Sequence, residues 1–137
     1  DNISFADINN LYEKYFGNQI PFKDLLKEKT NMVFNEKLEY QKKEKYEDGV
    51  KLSVSEKYAV PAIKEGMVVF VGEKEKYGKT IIISGTDGID IWYSNINSNI
   101  KLYDYIEKGK IVGEAIDSKI YLLFKKDKQI LNYEEYI

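Results

Sequence analysis

The chain has 137 residues, with 21 Lys+Arg against 23 Asp+Glu, a formal net charge of −2, and neither His nor Cys. That composition excludes imidazole acid–base catalysis, thiol nucleophiles, disulfides, haem ligation and Cys/His zinc sites, leaving an all-carboxylate hard-cation site as the remaining metal chemistry. All 21 basic residues are lysine, and without a cationic excess the balance argues against nucleic acid as a partner.

No run of 18 apolar residues occurs, so nothing in the sequence predicts a bilayer span, and no signal-peptide pattern opens it. The first residue is Asp1, which leads us to expect a piece of a longer protein with its membrane anchor outside this segment. Aromatic residues make up 14% of the chain, a composition that builds a core.

In chain order, residues 1–31 read as a helical region. Ser4 is placed to cap a helix along which Ile8, Leu11, Tyr12, Tyr15 and Phe16 recur at helical spacing, and Gly17 offers its exit. Pro21 opens a second short helix with Phe22, Leu25 and Leu26 on its apolar side. Residues 32–48 are dense in Lys and Glu and read as a charged connector or edge segment; mixed signs make it no polybasic membrane patch.

From Gly49 onward, short β-type runs alternate with glycine turns. Strands are expected over residues 51–54, 58–63, 67–71, 79–83, 89–93, 111–113, 119–124 and 129–131. Asp87-Gly88 suits a reversal that needs positive φ. No helix long enough for a βαβ unit separates these strands, which predicts a mainly β domain: an antiparallel sandwich or flattened barrel. If Trp92 and Tyr93 lie on one strand they face opposite ways; we expect Trp92 in structural packing and Tyr93 either beside a groove with Tyr121 or in ordinary cross-strand packing.

No Walker loop, GxGxxG or GxSxG occurs, and a Ser-His-Asp triad is impossible without His. Asp87 and Asp90 lack the further oxygen ligands a calcium loop needs and read as turn chemistry.

One succession of motifs has a familiar order. It runs through Gly66–Gly72, Tyr77–Ile83, Asp87-Gly88, Trp92–Ile96, Lys108–Gly113, Ile120–Lys125 and Leu131–Tyr133. Over roughly residues 49–137 this resembles the LytM-type zinc metallopeptidase domain of peptidase family M23. The resemblance implies a LytM-like sandwich with short helices before it. It also places the family's first metal-binding His and Asp at Glu47 and Lys51, flanking Gly49-Val50. A further His falls at Asn95, and a His-x-His pair at Tyr121 and Leu123. Lys51 brings positive charge where a cation belongs, and Leu123 has no donor atom, so the expectation is the fold without zinc, without cofactor and without peptidoglycan cleavage. These five positions would instead be a vestigial metal site and a possible groove.

Within the family, Gly78–Ile83, Trp92–Asn95, Phe124–Lys126 and Ile130–Asn132 resemble degenerate LytM domains of endospore formation, those of the stage IV sporulation protein FA family above all. That likeness implies a domain anchored to the outer forespore membrane and lying in the intermembrane space. There it would hold an intramembrane metalloprotease inactive together with a further membrane inhibitor, until a signalling serine protease lifts the block. A bridging module of the stage II sporulation protein Q type, or a domain that binds glycan without cutting it, are the alternatives.

Overall fold

The computed structural model describes residues 37–137, and the helices expected within 1–31 lie outside them. The described chain is built from eleven strands. They are β1 (Lys42–Tyr46), β2 (Gly49–Ser53), β3 (Ala59–Pro61), β4 (Gly66–Lys74), β5 (Gly78–Ser84), β6 (Ile89–Ser94), β7 (Ile96–Asn97), β8 (Tyr105–Ile106), β9 (Ile111–Ala115), β10 (Lys119–Lys126) and β11 (Gln129–Ile130). A 3-10 turn at Tyr133–Glu135 follows, capped by the Asn132 side chain.

The large sheet runs β1-β2-β10-β6-β5-β4-β8, with β11 folded back on β10; the small one runs β3-β9-β7. Every pairing is antiparallel. The mainly β, antiparallel architecture expected from the sequence is therefore what the chain adopts. Among the described residues no helix is long and apolar enough to cross a membrane.

Alternation along each strand sorts side chains onto two faces. Val50 and Leu52 of β2, Ile81 and Ile83 of β5, Ile91 and Tyr93 of β6, and Ile120, Leu122 and Phe124 of β10 point to one face and are buried. Val60 of β3, Ile96 of β7 and Val112 and Ala115 of β9 join the same cluster, so the small sheet closes the core. The candidate site lies on the opposite face of the large sheet, where none of the described strands forms a second layer.

Two local features add to the strands expected from the sequence. Lys42–Tyr46, within the charged stretch, is a regular edge strand paired residue for residue with β2; its lysines and glutamates suit an edge that must not recruit a stray strand. Ile96–Asn97, outside the strands expected from the sequence, pairs with β9, and Ile96 is buried in the core. The Asp87-Gly88 reversal forms as the sequence suggests: Gly88 takes φ +83°, and the Asp87 carboxylate accepts from the Ile89 N–H and pairs with Lys64 at 2.5 Å.

Candidate functional site

Two rows of residues cross the outer face of the large sheet. The first runs Glu44, Lys51, Tyr121, Ser94, Thr80, Gly72, each directly opposite the next on adjacent strands. The second runs along Leu123, Trp92, Ile82 and Phe70, with Tyr46 and Gly49 paired at its β1–β2 end. Close approach explains Gly49: a Cβ there would lie 2.1 Å from the Leu122 carbonyl oxygen, so only glycine lets β2 lie this close to β10.

Three of the five positions singled out in the sequence, Lys51, Tyr121 and Leu123, share one patch of this face, while Asn95 and Glu47 lie beyond its opposite ends. Lys51 and Tyr121 are cross-strand partners, and Leu123 lies two residues along on the same face. Asn95 follows Ser94, the partner of Tyr121 on the other side, and Glu47 sits in the β1–β2 turn. Their chemistry does not fit a zinc ion. The Lys51 ammonium lies 3.1 Å from Glu44 and holds that carboxyl below the usual glutamate range, with Lys42 adding to the effect. Leu123 is buried and offers no lone pair. Glu47 is a carboxylate, but it faces Lys76 at 3.6 Å. Asn95, at φ +63°, spends its amide nitrogen on the carbonyls of Ile116 and Lys119 at 2.8 and 2.9 Å, pinning the β9–β10 turn. Among the described residues no group of three or more Asp and Glu converges as a metal site would require.

Aromatic rings occupy the space instead. Tyr46 stacks on Tyr121 with centroids 4.2 Å apart. Tyr77, from the β4–β5 turn, meets Tyr46, Tyr121 and Trp92 edge-on at 5.6, 6.2 and 5.6 Å. The Tyr46 hydroxyl donates to the Lys76 carbonyl, and the Asp48 N–H donates to the Tyr77 hydroxyl at 3.2 Å, so turn and hairpin are tied across the rings. Burial pushes the Tyr77 phenol up. Lys74 and Lys125 place their ammonium groups 5.1 and 5.3 Å from the Trp92 centroid, and Lys74 also lies 4.3 Å from that of Phe70. Below this row Thr80 and Ser94 share a buried hydrogen bond of 2.8 Å.

The register decides between the two readings of Tyr93 in favour of cross-strand packing. Tyr93 is opposite Leu122, not Tyr121, so it points into the core; it is fully buried, and its hydroxyl accepts from the Ile63 N–H at 3.0 Å. Trp92 is the residue that shares the outer face with Tyr121. The register of two strands decides which of two adjacent aromatics faces outward, and composition around Trp92-Tyr93 does not carry it. Tyr46, Tyr77, Lys74 and Lys125 carry no mark in the sequence that assigns them to this face. Alternation groups Tyr46 with Glu44 but does not say on which face, whereas Tyr77 sits in a polar turn with no periodic signal.

A model of peptidase family M23 matches residues 45–134. Among solved structures, the antimicrobial peptidase lysostaphin from Staphylococcus simulans superposes with a TM-score of 0.60 at 21% identity, over 69% of this chain and 48% of that one. Its catalytic domain crystallised separately gives 0.59 at 18% identity, over 80% and 95%. Helicobacter pylori Csd3 gives 0.60 at 21%, over 77% and 30%. The chain thus spans about half of lysostaphin and less than a third of Csd3. No curated protein matches it. The shared fold and a family match over most of the described residues agree: the chain belongs to peptidase family M23.

Proposed function

We propose that this chain is a non-catalytic member of family M23 that works by binding, as the regulatory domain of a membrane-anchored sporulation protein that holds an intramembrane metalloprotease inactive. The observation that carries the reading is the donor set at the family's ligand positions. An ammonium, an apolar side chain and a committed amide stand where imidazoles and a carboxylate would hold zinc. A binding face keeps its value for recognition after hydrolysis is lost, and the stacked tyrosines and Trp92 are the side chains that interfaces favour.

The sporulation assignment rests on the likeness of residues 78–83, 92–95, 124–126 and 130–132 to the stage IV sporulation protein FA family. On this reading the domain works in the space between the forespore membranes, with its anchor outside this chain. A second membrane inhibitor shares the complex, and a serine protease ends the block. Capture of the full-length protein from sporulating cells tests it. Recovery of an intramembrane metalloprotease with a second membrane inhibitor is expected; recovery of a channel-like partner from the opposite membrane would contradict it in favour of the stage II protein Q role.

A further inference from the structure

The outer face of the large sheet differs in charge from the chain that carries it. By strand register it presents Lys42, Lys51, Lys74, Lys119 and Lys125 against Glu44 and Asp90, on a chain whose net charge is −2. Glu44 is already taken by Lys51 at 3.1 Å and Lys42 at 3.9 Å. Lys74, Lys119 and Lys125 form no ion pair among the described residues, and Asp90 stands opposite Lys125 on β6 without bridging to it. Two of these three rest over the Trp92 indole, which positions an ammonium without neutralising it.

The spacing suits an extended chain. Both ammonium groups lie within 5.3 Å of one ring centroid, so they are no more than about 10 Å apart. Same-face side chains of a strand repeat every ~7 Å, so alternate carboxylates of an extended peptide can reach both. The backbone beside them favours a polypeptide over another polyanion. The neighbouring strand on the outer side of β4 is β8, and it pairs only with Gly66 and Met67. Val68 bonds to Tyr103 and Asp104. From Val69 to Lys74 no described strand occupies that edge, and Val69 and Val71 are 44% and 45% exposed along it. Main-chain donors and acceptors beside β-branched apolar side chains are what an added strand uses.

We propose that this face binds an acidic polypeptide segment that crosses the strands over Trp92 from Lys125 to Lys74 and there turns to run along the outer edge of β4. The proposal rests on the binding reading above and names the chemistry of its partner.

Trp92 is the only tryptophan in the chain, so its fluorescence reports occupancy of the face directly. The 137-residue chain is titrated with a twelve-residue peptide alternating Glu and Val, with its Lys–Val counterpart, with an N-methylated Glu–Val peptide and with polyphosphate. A saturable Trp92 change with the Glu–Val peptide is expected, weakened at least about tenfold in the Lys74→Glu/Lys125→Glu double variant and weakened by N-methylation. Circular dichroism checks the fold of that variant. If it does not fold, Lys74→Gln and Lys125→Gln serve in its place, each expected to weaken binding at least about threefold. No saturable change, undiminished binding by the folded lysine variants, or equal binding of the Lys–Val peptide would overturn the proposal. Polyphosphate binding as tightly as the peptide would also overturn it, assigning the face to a phosphate polymer. So would loss of peptide binding through self-association of the chain in sedimentation. A chain that fails to bind but releases no muropeptides loses only this proposal. A chain that cleaves peptidoglycan loses the non-catalytic reading, whatever the peptide titration shows.

Discussion

The large sheet has two faces made by the same strands, and they are built on different rules. On the inner face Val50, Leu122, Tyr93 and Ile81 make one continuous row, every member buried. On the outer face the adjacent row of Lys51, Tyr121, Ser94 and Thr80 mixes a cation, a stacked phenol and two bonded hydroxyls. One residue of register separates the two rows. The inner face holds the family fold together, and the outer face is where a family member can change its chemistry while the sheet stays intact.

Substitutions should therefore divide by face, and the inner face should give the largest losses. Phe124→Ala removes a fully buried ring stacked on Tyr136 at 4.8 Å and should cost about 3–5 kcal/mol in urea unfolding. Tyr121→Ala, on the next position but two of the same strand, removes a half-buried stack and should cost about 1 kcal/mol. Equal losses would erase the distinction between the faces.

Gly49→Ala should behave as an inner-face change although it alters only one methyl. Its Cβ collides with the Leu122 carbonyl, so β2 must move off β10 at a cost of about 1–3 kcal/mol. Slowed amide exchange should be lost along both strands. Retained protection there would show that the close approach is dispensable.

Alkaline titration sharpens the contrast. Complete burial raises the Tyr93 phenol far above its ordinary range, so it stays protonated when folded while the unfolded chain ionises near pH 10. Its contribution is present below about pH 10 and is lost as pH rises, by up to about 1.4 kcal/mol per pH unit. Tyr93→Phe should remove that slope from the pH dependence of stability, while leaving the Ile63 N–H without its acceptor at about 1–3 kcal/mol at neutral pH.

The smallest effect belongs to the outer face. Glu44 is exposed and its carboxyl is held low by Lys51 and then Lys42; that favourable pairing is present above the ordinary glutamate range and is lost as pH falls through the depressed value. Lys51→Met should return the Glu44 titration, followed by NMR, toward ordinary glutamate with the fold unchanged. Unfolding of this variant would make Lys51 a structural residue.

The sequence carries the inner face far better than the outer one. Alternation in Ile120–Phe124 and Lys79–Ile83, with turns at Asp87-Gly88 and Lys125–Lys128, marks strands and hairpins because burial of one face imposes a period of two. The positions that the family resemblance assigns to metal ligands follow from offsets to Gly49 and to Trp92-Tyr93. The aromatic cluster is not: Tyr46, Tyr77 and Tyr121 come from three separate segments, and only strand pairing brings them within 6.2 Å. Asn95 reads as a polar residue in a polar stretch, and its hold on Ile116 and Lys119 spans more than twenty residues.

The most direct measurement is zinc content and muropeptide release by the 137-residue chain after incubation with excess zinc and purified peptidoglycan. A domain whose ligand positions hold Lys51, Leu123 and a committed Asn95 should retain no stoichiometric zinc and release nothing above a heat-denatured control; one bound zinc per chain together with soluble muropeptides would contradict the account.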